Sequence, residues 1–246
     1  ALAAGQVNLS GLAKISDSKG DTRLGSIDLT ADGAGSLVNL AALSSFTDVY
    51  SGSTTGDNRF STLTAKNAGS VTMAAANVLL TGVLTTLQTG GAITGNLQLA
   101  ASTLQGEGTL TGSVINGGVV APGGTGTTGV LTITGSFAQL AGGVVSVELG
   151  GTTVGTKYDR LAIGGAATLG GTLNVGLVGG FSPALADAFG VLTYGSRAGN
   201  FATYSGLGYA ANRTLRTVLN PADLTLVAAA ADVRVTPTTG LVTSAL

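Results

Sequence analysis

The stretch Leu29-Thr30-Ala31-Asp32-Gly33-Ala34-Gly35-Ser36-Leu37 recurs as Leu63-Thr64-Ala65-Lys66-Asn67-Ala68-Gly69-Ser70-Val71, an offset of 34 with six identities in nine. Each copy is a short alternating apolar and polar run that ends in a corner of Gly, Asn and Ser. That is strand patterning with turn residues, not helix patterning. A second repeat follows: Thr86-Leu87-Gln88-Thr89-Gly90-Gly91-Ala92-Ile93-Thr94-Gly95-Asn96-Leu97 recurs as Thr103-Leu104-Gln105-Gly106-Glu107-Gly108-Thr109-Leu110-Thr111-Gly112-Ser113-Val114, an offset of 17 with six identities in twelve. Since 34 is twice 17, both repeats are expected to be turns of one stacked array, in which no single unit buries a core alone.

Composition agrees. Of 246 residues 41 are Gly, a density that costs a helix too much at too many positions, and no window carries a sustained helical apolar stripe. Gly and Asn corners permit left-handed backbone, while Leu, Val and Ile alternate into an interior. The expected fold is therefore all-β, a parallel β-helix. With 44% hydrophobic and 9% charged residues and a net charge of −1, the chain lies far from the disordered class. Between Lys66 and Glu148 the single charge is Glu107, so Thr, Ser, Asn and Gln must fill the outward positions there. The loop Ser51-Gly52-Ser53-Thr54-Thr55-Gly56-Asp57-Asn58 reads as an excursion from one turn.

The chain has no Cys and no His, which removes thiolate and imidazole metal sites, Cys or His catalysis and any disulfide. No cofactor or metal site is expected. Eleven Lys plus Arg against twelve Asp plus Glu leave no basic field, so nucleic acid is not an expected partner. Apolar runs such as Val78-Leu79-Leu80 stop well short of the roughly 18 to 20 residues of a membrane helix, and no direct membrane insertion is expected. Ala1-Leu2-Ala3 has the form of a signal-cleavage site and is read as coincidence in an Ala-rich chain. The Asn-x-Ser/Thr triplets at Asn8 and Asn212 are expected by chance.

From residue 119 onward several motifs follow in order: Val120-Ala121-Pro122-Gly123-Gly124, Gly129-Val130-Leu131-Thr132-Ile133-Thr134-Gly135-Ser136-Phe137-Ala138-Gln139, and Val147-Glu148-Leu149-Gly150-Gly151. Then come Tyr158-Asp159-Arg160-Leu161-Ala162-Ile163, Ala167-Thr168-Leu169-Gly170-Gly171-Thr172-Leu173-Asn174-Val175, Phe181-Ser182-Pro183, Phe189-Gly190-Val191-Leu192 and Gly199-Asn200-Phe201. Over residues 119 to 227 this order resembles the C-terminal passenger region of bacterial autotransporters and related large surface adhesins. The resemblance implies a right-handed parallel β-helix, with export to the extracellular side or bacterial cell surface. It implies a role as stalk or adhesin and, as candidate partners, a host, neighbouring-cell or glycan surface. The alternating membrane-barrel strands that follow in autotransporters are missing, and Val233-Arg234-Val235-Thr236-Pro237-Thr238-Thr239-Gly240-Leu241-Val242-Thr243-Ser244 resembles the opening strand of a Calx-β-type repeat. A piece of a longer multidomain chain, joined to neighbouring domains, is expected. The divisions expected are 1–117 as β-helix turns, 118–228 as the passenger-like β-helix with a more irregular C-terminal cap, and 229–246 as a linker or the start of a following domain. Phe181, Phe189, Phe201, Tyr204 and Tyr209 are suited to that cap.

Local roles follow from residue type. Pro122-Gly123-Gly124 should end a strand in a tight turn, after which Leu131 and Ile133 point inward and Thr132 and Thr134 outward. Tyr158-Asp159 invites a catalytic reading, but Asp159 is expected to cap a turn through its own backbone, with Leu161 and Ile163 entering the core. Residues Ser182 to Phe189 suit a helical turn or a loop. The enzymatic alternative is a β-helix polysaccharide lyase or hydrolase acting on extracellular glycans, which needs converging carboxylates or a carboxylate-bound Ca²⁺. The candidates are Asp17 with Asp21 and Asp28 with Asp32, and Thr30-Ala31-Asp32-Gly33 reads as a corner that separates the second pair. No catalytic residue is assigned. A flat threonine face, as in ice-binding proteins, would draw on Thr62-Leu63-Thr64, Thr109-Leu110-Thr111 and Thr132-Ile133-Thr134, whose offsets of 47 and 23 argue against a regular array.

Overall fold

A computed structural model describes residues 1–17, 26–49, 60–88 and 90–231. The described chain is all-β, without a helix, and its strands curl into one connected sheet system. No helix of the described residues is long and apolar enough to cross a membrane.

Among the described residues the parallel strands stack as three ladders. The first runs through Gln6–Asn8, Leu37–Leu40, the starts of Ser70–Thr81 and Ala92–Gly106, then Gly108–Thr111, Val130–Ile133, Arg160–Ile163 and Ala188–Thr193. The second runs from Lys14–Asp17 through Ser45–Asp48, later parts of the two long strands, Val114–Pro122, Phe137–Gln139 and Ala166–Leu169 to Ser196–Gly199. The third joins Asp28–Asp32, Thr62–Lys66, Leu84–Gln88, the ends of Ala92–Gly106 and Val114–Pro122, Val144–Leu149, Thr172–Leu177 and Thr203–Ser205.

Alternation within each strand turns every second residue inward, so the inward residues line up from strand to strand. In the first ladder Val38, Val71, Ile93, Leu110, Ile133 and Ile163 stack in register and are buried. In the third, Leu63, Thr85, Leu104, Val120, Val145 and Leu173 do the same. The expected inward Leu131, Ile133, Leu161, Ile163, Leu173 and Val175 are all buried. One column of the second ladder changes character part-way: Phe46, Leu80 and Leu99 give way to Asn116 and Gln139. These two buried amides satisfy each other and the backbone, since Asn116 Nδ2 donates to Gln139 Oε1 at 2.7 Å and Asn116 Oδ1 accepts from the Gly118 N–H at 3.0 Å.

The 34-residue repeat is a true register: Leu29 pairs with Leu63 and Ala31 with Ala65. The 17-residue repeat is half right. Ile93 pairs with Leu110 and Leu97 with Val114, but Thr85 pairs with Leu104 and Thr86 with Gln105, two residues away from the alignment by identity. The offset of 34 is also a single return to the ladder, not two returns of 17. Return length varies because the corners absorb the difference.

Corner geometry explains two glycines. Gly106 has φ +102, and a Cβ there would lie 2.0 Å from the Leu87 carbonyl oxygen of the preceding return. Gly123 has φ +75 with the Thr127 carbonyl 2.1 Å from a would-be Cβ, and the strand ends at Pro122 as expected. Residues 182–187 form a loop with no helix, tied by the Ala184 N–H donating to Asp187 Oδ2 at 2.8 Å.

At the C-terminal side the pattern changes to antiparallel. The hairpin Arg213–Leu219 and Asp223–Ala230 lies along Ala188–Thr193 and covers the last edge of the first ladder. The Tyr194 hydroxyl donates toward the carbonyls of Asn220 and Asp223, at 3.0 and 2.7 Å, and pins the turn of that hairpin. Phe189 and Phe201 are buried, with Phe189 meeting Tyr158 and Phe181 edge to face at 5.4 and 6.0 Å. Phe181, Tyr204 and Tyr209 are half-buried.

Candidate functional site

Asp28 and Asp32 lie on the outward side of one strand, and the corner comes one residue later, at Gly33 with φ +99. The sequence expectation of a corner between them is thus corrected. The correction does not make them an acid/base pair: four steps along the strand separate their Cα atoms by roughly 13 Å, against about 5 to 9.5 Å between the carboxyls of glycoside hydrolases. Each is engaged instead by the next strand of its ladder. The Thr62 hydroxyl donates to Asp28 Oδ1 at 2.8 Å. Asn67 Nδ2 donates to Asp32 Oδ1 at 2.7 Å, and Lys66 Nζ lies 3.3 Å from Asp32 Oδ2. The Asn67 amide first, then the Lys66 ammonium, hold the Asp32 carboxyl below the usual carboxylate range.

Asp17 stands in register beside Asp48, and Asp21 lies outside the described residues. Asp48 is buried, and its Oδ2 accepts the Ser61 N–H at 2.6 Å, so it staples the two ends of the chain that flank residues 50–59. Nothing local in the sequence marks that pairing. Among the described residues no three acidic side chains gather as metal ligands would.

Asp159 is 1% exposed and is no turn cap. Its Oδ1 accepts the Gly129 N–H and its Oδ2 the Glu148 N–H, both at 2.8 Å, so one carboxylate joins backbone from two other segments. Burial pushes its pKa up to about 7 against the opposing pull of those N–H groups, with Glu148 adding a smaller upward push. Tyr158 is buried against Phe189, and Arg160 donates from Nε to the Gly190 carbonyl at 2.7 Å and from Nη2 to the Tyr158 hydroxyl at 3.2 Å. The triplet is a structural joint: the Asp159 carboxylate and Arg160 Nε bond backbone of other segments, and Tyr158 packs on Phe189.

The threonine runs divide between ladders. Thr62-Leu63-Thr64 belongs to the third, whereas Thr109 pairs directly with Thr132 in the first. The offset of 23 therefore does not keep those two runs from stacking, because the corners take up the extra residues.

Among several hollows of the described residues, two adjoin on the outward face of the third ladder. A hollow of about 320 Å³ is lined by Phe60, Leu84, Thr103, Gln105, Val119 and Ser146 among others, and a second of about 400 Å³ adjoins it across Phe60 and Leu84, reaching Asp28 and Thr62. Phe60 is 49% exposed in a chain with few aromatic residues. One outward column reads Thr62, Leu84, Thr103, Val119, Val144, Thr172. The next holds two hydrogen-bonded polar groups on either side of Ala121: Gln105 to Thr86 at 3.4 Å, then Asn174 to Ser146 at 3.2 Å and Ser205 to Asn174 at 2.7 Å. Sequence reading missed this face because its residues sit on different strands, and only the ladder register brings them together.

Compared with known proteins, the chain matches no family model and no curated protein.

Proposed function

We propose that the chain is a non-enzymatic stalk or adhesin segment of a large bacterial cell-surface protein, its three ladders forming the faces of one right-handed parallel β-helix. Right-handed crossovers are the strong rule for parallel strands joined within one sheet system. The observation that carries the reading is the in-register aliphatic interior, which runs from Val38 to Ile163 in the first ladder and from Leu63 to Leu173 in the third, with Thr85 as its polar member. Such a stack resists bending and extends by adding turns, which suits a spacer that holds a binding surface away from a cell. The ordered motifs over residues 119 to 227 support the passenger-like assignment, and the terminal hairpin fits the proposed cap. The extracellular location and the neighbouring domains belong to the same proposal. Asp28 and Asp32, two of the carboxylates raised for a lyase or hydrolase, are engaged by side chains of the neighbouring strand and its corner, which favours the non-enzymatic reading.

The test is display of the chain on a bacterial surface, with attachment to cells and to glycan-coated plates measured beside a polyuronate-cleavage assay with and without Ca²⁺. Attachment without cleavage is expected; cleavage by the purified chain, lost in Asp28→Asn or Asp32→Asn, overturns it.

A further inference from the structure

We infer that the outward face of the first ladder binds ice, through two columns rich in threonine that run along the stack. One column reads Asn39, Thr72, Thr94, Thr111. Thr134 continues it: its hydroxyl accepts the Gly112 N–H at 3.2 Å, and its own N–H reaches the Leu110 carbonyl at 3.0 Å. The other column reads Ser70, Ala92, Thr109, Thr132, Ala162. Four successive returns therefore present Ser-Val-Thr, Ala-Ile-Thr, Thr-Leu-Thr and Thr-Ile-Thr, with the central residue of each triplet buried in the aliphatic column. An ice-binding face would serve a stalk as well as a free chain, so the adhesin reading neither carries it nor falls with it.

Strand spacing sets the interval along each column at about 4.8 Å, and two steps along a strand set the columns about 7 Å apart. The buried Val71, Ile93, Leu110 and Ile133 hold the backbone beneath in register, and threonine is stiff at χ1, so the hydroxyls form a fixed two-dimensional net. Thr94, Thr111 and Thr134 are exposed, and Thr72, Thr109 and Thr132 half-buried. The hydroxyls of Thr72, Thr94, Thr109, Thr111 and Thr132 make no hydrogen bond to any described residue, which leaves them to whatever lies on the face. A net that repeats in two directions fits an occupant that does the same, a crystal face rather than a single molecule. Each hydroxyl donates and accepts, as lattice water does. Neither column holds a charged residue; Glu107 and Arg160 stand two residues ahead of Thr109 and Ala162, and Arg160 is tied to the Gly190 carbonyl. Neither column holds an aromatic ring to lie on a sugar face, which favours ice over a crystalline polysaccharide.

The experiment grows ice slowly on a cooled probe in a solution of the full chain and measures the share of protein taken into the ice, with crystal shape and thermal hysteresis read on the same sample. Uptake well above that of an inert protein of equal size is expected, together with faceted growth. Thr94→Lys and Thr111→Lys place a strongly hydrated ammonium in the middle of the net and should each lower uptake severalfold and abolish faceting. Thr103→Lys, outward on the third ladder, should change neither. Circular dichroism and melting of each variant establish that the fold persists. Uptake by the unaltered chain no greater than that of the inert protein, undiminished uptake in both Thr94→Lys and Thr111→Lys, or an equal loss in Thr103→Lys overturns the inference. Binding to crystalline cellulose or chitin in place of ice overturns it as well. Attachment of the displayed chain to cells is read separately, so any of these failures leaves the adhesin reading standing.

Discussion

The centre of the molecule and its C-terminal part solve the same problem by different means. Between Ser70 and Pro122 three long strands, Ser70–Thr81, Ala92–Gly106 and Val114–Pro122, bend through two or three ladders without a break, and Ile93 returns to its ladder at Leu110 after 17 residues. Beyond residue 130 the strands shorten and a return such as Ile133 to Ile163 takes 30 residues. Short returns close through backbone ladder bonds and glycine corners, so they need few side-chain ties. Longer returns carry segments whose N–H or C=O groups look to side chains for a partner. Asp159, Arg160 and Tyr194 provide it, each reaching backbone of a distant segment. The centre can therefore be almost free of charge, while the C-terminal part depends on a few polar joints.

If both parts share one interior, an acid placed in the same column should be equally damaging in each. Leu104 and Leu173 both belong to the inward column of the third ladder and are 0% exposed. Leu104→Asp and Leu173→Asp should each cost at least about 5 kcal/mol and abolish the cooperative melt, because an unpaired carboxyl has no partner inside the stack. Unchanged melting of either variant breaks the register described above.

The joint at Asp159 should distinguish the two parts next. Asp159→Ala leaves the Gly129 and Glu148 N–H groups unsatisfied, for a loss of about 2 to 5 kcal/mol in chemical denaturation. The pH dependence has an unusual sign. A folded-state pKa raised from 3.8 to about 7 means that the native chain holds this proton more tightly than the unfolded one. Its contribution is then complete below the unfolded pKa, declines as pH rises through the window from 3.8 to 7, and is flat above it, by roughly 4 kcal/mol at most. Asp159→Asn, which stays neutral, should remove that decline; a wild-type chain that gains stability across the same window contradicts the raised pKa.

In the centre the corresponding test is a gain. Thr85 occupies an inward position between Leu63 and Leu104, and its buried hydroxyl has no hydrogen-bond partner. Thr85→Val keeps the shape and removes the unpaired group, so it should stabilise by about 1 kcal/mol, read as a higher melting temperature.

These residues also mark what was legible in the sequence. The Leu29 and Leu63 repeat was, because identical side chains sit in identical ladder positions. The misalignment of Thr86-Leu87-Gln88 on Thr103-Leu104-Gln105 was an error of two residues, which keeps Leu87 and Leu104 both inward and therefore leaves the alternation pattern undisturbed. The strand end at Pro122 and the inward Leu131, Ile133, Leu173 and Val175 follow from local chemistry and were legible too. Asp159 was not, since its partners lie 30 and 11 residues away, and neither was the union of Asp48 with Ser61 or of Asn116 with Gln139. The hollow on the third ladder was hidden for the same reason: Leu84, Thr103 and Val119 become neighbours only through unequal returns, whose lengths depend on corners that low-complexity sequence does not distinguish.

The smallest effect concerns the outward acids of the first turns. Asp28 accepts from the Thr62 hydroxyl and Asp32 from Asn67 and Lys66, contacts that water can replace at the surface. An asparagine at either position retains an acceptor oxygen in place. Asp28→Asn and Asp32→Asn should therefore leave the melting temperature and any surface attachment unchanged at neutral pH. A clear loss of stability would mean that the long early returns rely on these outward contacts as well as on the buried Asp48–Ser61 staple, and the division would then fall between a tight centre and two polar-jointed ends.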